Sequence, residues 1–268
     1  TISLHEGHRM KASPRIHPDY HSCGLFTWML RWAEQRACQI AEKLLCEPRA
    51  MLTSWVEEVD GVAQELLVRE GFLPERYSWH MEIKMEKAPP AAVWPDGVRV
   101  RSFVPGQDEY VAYEALAEAF QTIGGDLYET FEHWLWRGVK SSSFDPSRWF
   151  LAIGDNGEIA GVTLSEFQRS TESTIGWISE VAVRPTWRRR GLALALLYHT
   201  FGEFYRRGIF RCALTVDAAN PSGATRLYEH AGMRPNHRTE VRYRKDLKVG
   251  QFSPEEMGSM GSAEEEFS

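Results

Sequence analysis

Apolar and polar positions alternate from Val98 to Phe103 as they do in a strand with one covered face. Asp108 to Gln121 then follows a helical period, with Tyr110, Tyr113, Leu116, Ala117 and Phe120 on one predicted face, and a second helix is expected around Phe131 to Val139. Trp149 to Ile153 and Glu158 to Ser165 flank Asp155-Asn156-Gly157, the turn chemistry of a hairpin. Trp177 to Val183 reads as a strand, and Leu194, Leu197, Phe201 and Phe204 stripe the helix after it. Arg211 to Val216 is a further strand, Ala224 to His230 a helix and His237 to Leu247 an extended run. A Pro-rich linker, Lys87 to Pro95, precedes this series.

The earlier part of the chain echoes the later part. At a constant offset, Pro18 falls on Pro185, Tyr20 on Trp187, Gly24 on Gly191 and Leu25 on Leu192. Gly71-Phe72 likewise parallels Gly232-Met233, and each copy continues into an extended run. An internal repeat argues for two lobes of one fold. The first copy carries His21 for Arg188, Phe26 for Ala193, Leu67 for Tyr228 and Val59 for Asn220, so its chemistry is expected to be lost. It is also short, because nothing before about residue 16 is expected to supply a full set of opening strands and helices. The chain is therefore expected to be a fragment of a longer protein.

Composition narrows the class. A chain of 268 residues with 43% hydrophobic and 25% charged residues has the make-up of a globular protein with room for two modest cores. No apolar run nears the roughly 20 residues a bilayer span needs, and no membrane partner is expected. The residues from Val249 to Ser268 hold five glutamates and no Lys or Arg, and are expected to form a disordered acidic tail. Most of the formal charge of -6 lies there. The near-neutral remainder argues against nucleic acid, despite Arg188, Arg189 and Arg190. Cys23, Cys38, Cys46 and Cys212 have no Cys-x-x-Cys spacing and read as free thiols of a reducing cytoplasm; no metal motif is present.

The densest chemistry lies between Val181 and Ala193. A strand there feeds a basic turn and then a helix opening at about Gly191. The first N–H groups of a helix lack intrahelical partners and sit at its positive end, which makes an anion site. Gly191 lets the main chain approach a ligand, and Ala193 keeps the next turn free of bulk. A diphosphate suits such a place.

Arg188-x-x-Gly191-x-Ala193 resembles the pyrophosphate-loop signature of the GNAT (Gcn5-related) N-acetyltransferases. Val216 to Asn220 resembles the end of that family's fifth strand, and Ala224 to Met233, with Leu227-Tyr228, the helix after it; Met233 departs from the usual Phe. The resemblance implies an α/β (α+β) fold, with a mixed central sheet flanked by helices, in two tandem lobes of which the first is incomplete. The tandem arrangement is similar to that of mycothiol synthase-like acetyltransferases. The expected division is a degenerate lobe over 1–86, a linker over 87–96, a complete lobe over 97–248 and the tail over 249–268.

What the resemblance implies chemically is acetyl-CoA as cosubstrate, no metal, and direct attack of a primary amine on the thioester in a ternary complex. Val181, Ala182 and Val183 would offer backbone groups to the pantetheine arm, and Arg188 to Ala193, Leu192 included, would hold the diphosphate. Glu180, or Glu166 in reserve, is the candidate base. Its plain alternative is a structural carboxylate paired with an arginine. Tyr228 is the candidate donor to the leaving thiolate, a phenol of pKa near ~10 facing a thiolate of similar basicity; the alternative is a packing tyrosine. Asn220 would hold the pantetheine arm or the helix entrance. The acceptor, a small-molecule or peptide amine, is not named by these residues; Gly124-Gly125 lies where the family's acceptor loop would be or is a plain connection, and the aromatics Tyr128, Phe131, Trp134 and Trp136 line that pocket or pack the second helix. Association with further copies of the chain is left open. The competing reading is a non-catalytic acyl-CoA-binding or interaction module.

Overall fold

In the computed structural model, residues 2–5, 9–12, 14, 16, 23–44, 49–121, 129–169, 174–220 and 222–248 are described. The expected tail, Gly124-Gly125, Tyr128, Cys46 and the His21 end of the first echo lie outside them. The elements run β1 (Ile2–His5), β2 (Arg9–Ala12), α1 (Leu25–Leu44), β3 (Arg49–Glu57), α2 (Gly61–Arg69), β4 (Leu73–Lys84) and β5 (Val98–Ser102). There follow α3 (Glu109–Gln121), α4 (Phe131–Arg137), β6 (Phe150–Gly154), β7 (Ile159–Arg169), β8 (Thr174–Val183), α5 (Leu192–Arg206), β9 (Arg211–Asp217), α6 (Ala224–His230) and β10 (Arg234–Lys248). Two short strands thus precede residue 16, where the sequence suggested no such contribution.

Two compact units emerge, and the linear order of the chain does not delimit them. Of the described residues, one unit comprises those up to Arg76 together with Glu240–Lys248, and the other those from Tyr77 to Thr239. The cause is strand pairing. Ser78–Lys84 of β4 pairs antiparallel with β9, whereas Glu240–Lys248 of β10 pairs antiparallel with β3. Each long strand therefore begins in one unit and ends in the other.

In the first unit the strand order is β1-β2-β3-β10. Helices α1 and α2 pack Leu30, Ala37, Ala41 and Leu67 against Leu52 and Val241. The order in the second unit is β4-β9-β8-β7-β6-β5. One face packs against α3 and α4 through Leu116, Trp134, Leu151 and Val162. On the other, α5 and α6 bury Leu197, Phe201, Phe204 and Met233. The stripe expected on α5 is the buried one, apart from the partly buried Leu194.

The face expected for α3 coincides only in part with the one that meets the sheet: Leu116 lies on both, and Tyr113 and Phe120 pack at its margin. Ala112, Ala115, Leu116 and Ala119 are buried, while Tyr110 is 58% exposed. Small residues let the helix approach the strands closely. The aromatics flank that contact and seat α4 instead: Tyr110 and Tyr113 meet the Phe131 ring edge-on, at 5.5 and 5.3 Å.

Several glycines take the left-handed region at helix ends. Gly24 (φ +73°) stands at the entrance of α1 as Gly191 (φ +80°) stands at the entrance of α5. Each glycine's carbonyl accepts the first intrahelical bond at 3.0 Å, from Trp28 and Ala195 respectively. Gly71 and Gly232 end α2 and α6 in the left-handed region, where the next N–H reaches back, Phe72 to Leu67 and Met233 to Tyr228. Phe72 and Met233 are both fully buried.

Candidate active site

Strand β8 is where the site begins. Its pairing with β7 shifts register between Leu164 and Ser165, so Leu164 opposes Glu180 while Ser165 opposes Ile178, and Ser179 is the extra residue. A bulge of this kind reverses which face later side chains take. Ile178 packs with Phe201 and Tyr228 beneath α5 and α6, whereas Ala182 packs with Leu116 and Trp134 beneath α3 and α4. Regular alternation would have put Ile178, Glu180 and Ala182 on one face. The bulge leaves Glu180 with Ala182 and separates both from Ile178.

Beyond that bulge, β8 loses its other neighbour. Pairing with the parallel β9 is confined to Gly176↔Cys212 and Trp177↔Ala213. On the β7 side, the Arg184 N–H donates to Ala160 at 3.0 Å. Because an antiparallel ladder alternates, the main-chain groups of Val181 and Val183 point away from β7, into the gap where β8 and β9 diverge. That is an unpaired strand edge of the kind amide groups of an extended ligand can join.

The gap opens into a cavity of about 360 Å³ whose lining includes Val181, Val183, Arg189, Gly191, Ala193 and Tyr228. Ala119 and Phe120 from the last turn of α3 wall one side, and Gly223, Ala224 and Leu227 another. Gly191 caps α5 with no side-chain hydrogen bond. The N–H groups of Leu192, Ala193 and Leu194 precede the first intrahelical bond and are left for solvent or ligand. A Cβ at Gly191 would meet nothing within 4 Å, so the glycine is required by its φ of +80° and not by crowding. Arg189, at φ +63°, is the non-glycine residue in the left-handed region among the described residues. Successive N–H groups in such a turn form an anion-binding concavity. The residues present therefore fit a diphosphate with an extended amide arm.

The remaining expected residues are distributed unevenly around this cleft. Arg190 lies over the Trp187 ring, 5.1 Å from its centroid. The Arg188 guanidinium turns back to main-chain carbonyls, Nε to Val183 at 3.2 Å and Nη2 to Ala119 at 2.8 Å. Asn220 is absent from the lining; its Oδ1 accepts the Ser222 N–H at 2.9 Å, at the entrance to α6. Tyr228 is 9% exposed, and burial pushes its phenol up to about 12.

Glu180 faces a second, smaller cavity of about 170 Å³, shared with Arg137, Ser143, Glu166 and Ser179. Arg137 Nη2 donates to Glu180 Oε1 at 2.7 Å and also to Glu129, which in turn meets His133. Burial works against the Arg137 charge, but the hydrogen bond to Glu129 and the charges of Glu180 and Glu129 outweigh it and raise its pKa. Glu166 Oε2 accepts from the Ser143 hydroxyl at 3.3 Å. Nothing in the spacing of Glu129, Arg137 and Glu180 announces this bridge. Only the packing of α4 beside β8 brings the three together. No group of His, Cys, Asp and Glu able to hold a metal occurs among the described residues, and none of their helices is long and apolar enough to cross a membrane.

Residues 110–233, spanning the cleft and both carboxylates, match the model of the acetyltransferase (GNAT) family. The GCN5-related N-acetyltransferase from Sphaerobacter thermophilus is 35% identical, superposes with a TM-score of 0.75, and the match covers 93% of this chain and 76% of that one. A tandem GNAT protein from the clavulanic acid biosynthesis pathway shares the fold, at 15% identity and a TM-score of 0.66, over 94% of this chain and 79% of that one. Among curated proteins, the mycothiol acetyltransferase of Paenarthrobacter aurescens (strain TC1) is 30% identical over 210 residues, which is 74% of this chain and 60% of the relative. The chain spans less than two thirds of the length of that relative. At 35% identity to the Sphaerobacter thermophilus protein over most of both chains, and with residues 110–233 matching the family model, the chain belongs to the GNAT acetyltransferase family.

Proposed function

We propose that the protein is an acetyl-CoA-dependent N-acetyltransferase whose second unit carries the reaction. One observation carries this reading. The uncapped N-terminus of α5 and the unpaired edge of β8 at Val181 and Val183 open into one cleft, which Tyr228 also lines. Acetyl-CoA bound there supplies the activated acetyl group. The N–H groups of Leu192, Ala193 and Leu194 hold the diphosphate, with Arg189 beside them, and the edge of β8 orients the pantetheine amides.

The amine attacks directly, in a ternary complex, and must first lose a proton. Glu180 takes it, on the face that looks toward the smaller cavity, once Arg137 yields its oxygen. Tyr228 keeps its proton at neutral pH, as a phenol of pKa about 10 does, and burial pushes that value further up. In this reading its hydroxyl donates to the departing sulfur, and a thiolate shielded from water in the cleft would be made more basic by the same desolvation.

Relatives named mycothiol acetyltransferase favour a small-molecule amine over a peptide as acceptor. The matching glycine geometry at the entrances of α1 and α5 supports a tandem ancestry in which the first unit no longer binds cofactor. The thiols of Cys23, Cys38 and Cys212 are free, as suits a reducing cytoplasm. A second reading, a non-catalytic acyl-CoA-binding module, is favoured by the engagement of Glu180 with Arg137. Titration calorimetry of acetyl-CoA into wild type and Gly191→Glu, followed by an amine screen for thiol release, separates these readings. Binding lost in the variant together with turnover supports the enzyme. Binding without turnover on any amine supports the module, and no binding by wild type removes both.

A further inference from the structure

Arg188 opens the signature, and its charge would be expected to meet the diphosphate. The geometry gives that charge another task. Its Nη2 donates to the Ala119 carbonyl in the last turn of α3, at the negative end of that helix. Its Nε donates to Val183, a carbonyl turned away from β7 and otherwise left at the open edge. A cation at a helix C-terminus is also favoured by the helix dipole. One planar guanidinium thus ties the end of α3, the edge of β8 and the loop itself together. Ala119 and Phe120, held by this tie, are wall residues of the cofactor cleft.

We infer that Arg188 is a positioning residue: it clasps the last turn of α3 to the signature loop and so shapes the wall along which the pantetheine arm lies, while the diphosphate is met by the α5 N–H groups and Arg189. The inference rests on the acetyl-CoA reading for its kinetic consequence, though the clasp itself belongs to the free protein. It separates two roles that one arginine in this position can have, direct ion pairing and support of an apolar wall.

The test uses two acetyl donors, acetyl-CoA and S-acetylpantetheine, the second lacking the diphosphate. Arg188→Gln and Arg188→Lys are each expected to raise KM for both donors alike, by about tenfold or more, since only part of the stabilisation of the two bonds is expressed in the wall that the donor meets, with kcat held. Lysine retains the charge but lacks the fork that reaches two carbonyls. Arg189→Gln is expected to raise KM for acetyl-CoA alone. Recovery by Arg188→Lys, or a loss confined to acetyl-CoA, would overturn the inference in favour of direct diphosphate contact. Amide hydrogen exchange of the ligand-free protein gives a readout that needs no cofactor: the last turn of α3 is expected to exchange faster in Arg188→Lys. Unchanged exchange overturns the clasp whatever the kinetics show. Failure of wild type to bind acetyl-CoA, with exchange altered, would instead count against the acetyltransferase reading alone.

Discussion

Arg137 Nη2 lies 2.7 Å from Glu180 Oε1 and also donates to Glu129, so one guanidinium spans a carboxylate on β8 and another just ahead of α4. Arg137 remains 42% exposed, while Glu180 is only 10% so. Solvent screens the first partner and much less the second. Arg137→Gln is expected to destabilise the protein by about 1–2 kcal/mol, less than a fully buried pair because of that screening. Glu180→Gln in the same background should recover part of the loss. A denaturant double-mutant cycle reads the coupling, and strictly additive effects would mean that the pair contributes nothing.

Gly191→Ala and Gly191→Glu separate strain from charge. Alanine at φ +80° costs about 1–2 kcal/mol of stability but, with open space at its Cβ, should leave much of the affinity for acetyl-CoA. Glutamate places a negative charge beside the diphosphate position and should abolish binding. Thermal melts and calorimetry measure the two effects independently; tight binding by Gly191→Glu would contradict the anion-loop argument.

Tyr228→Phe should lower kcat by about 10²-fold or more while acetyl-CoA affinity changes little. The phenol also has a stability signature. With its folded pKa pushed up to about 12 from 10, Tyr228 contributes stability that is complete below pH ~10. That contribution is lost as pH rises through about 12, on the order of 2–3 kcal/mol in all. Base-induced unfolding of wild type and Tyr228→Phe should therefore diverge in that window. Coincident curves would show that the phenol is solvated.

Asp108 gives the opposite sign. Its carboxylate accepts from Arg101 and from the Val104 N–H at 2.7 Å, fixing the turn from β5 into α3. Burial raises its pKa, but the hydrogen bonds from Arg101 and Val104 and the Arg101 charge outweigh it, and the net shift is downward. Its stabilisation is present above the ordinary Asp value of about 3.9 and is lost as pH falls through the lower folded value. Asp108→Asn should be less stable than wild type at pH 7, with the difference closing in strong acid. A deficit that persists unchanged in acid would assign the effect to packing.

One cofactor per chain is expected. Gly24→Glu should leave acetyl-CoA stoichiometry and affinity unaltered, since the bulky Phe26, two residues after Gly24, takes the place that Ala193 has after Gly191. A second calorimetric site that vanishes in this variant would restore binding to the first unit.

Local chemistry made much of this protein legible. The turn glycines, the apolar stripe of α5, the Asp155–Gly157 hairpin and the glycine opening of α5 each depend on neighbours within a few residues, where φ, capping and periodicity act directly. The glycines at the helix entrances were readable for the same reason, because a positive-φ position leaves a mark in sequence at each occurrence.

What stayed hidden depends on residues far apart in the chain. The bulge at Ser179 has no composition of its own; it arises from how β7 and β8 match along their length, and it moves Glu180 away from the face of Ile178. The partner of Glu180 waits on the docking of α4, and the anchorage of Arg188 on the end of α3, 69 residues distant. Likewise β4 and β10 show as extended runs in sequence, yet which strands they join is settled by pairing with β9 and β3. Periodicity is a property of neighbours along the chain, whereas pairing, bulges and charge partners are properties of neighbours in space. The first alone drew the elements and the loop, and the second set where their side chains point.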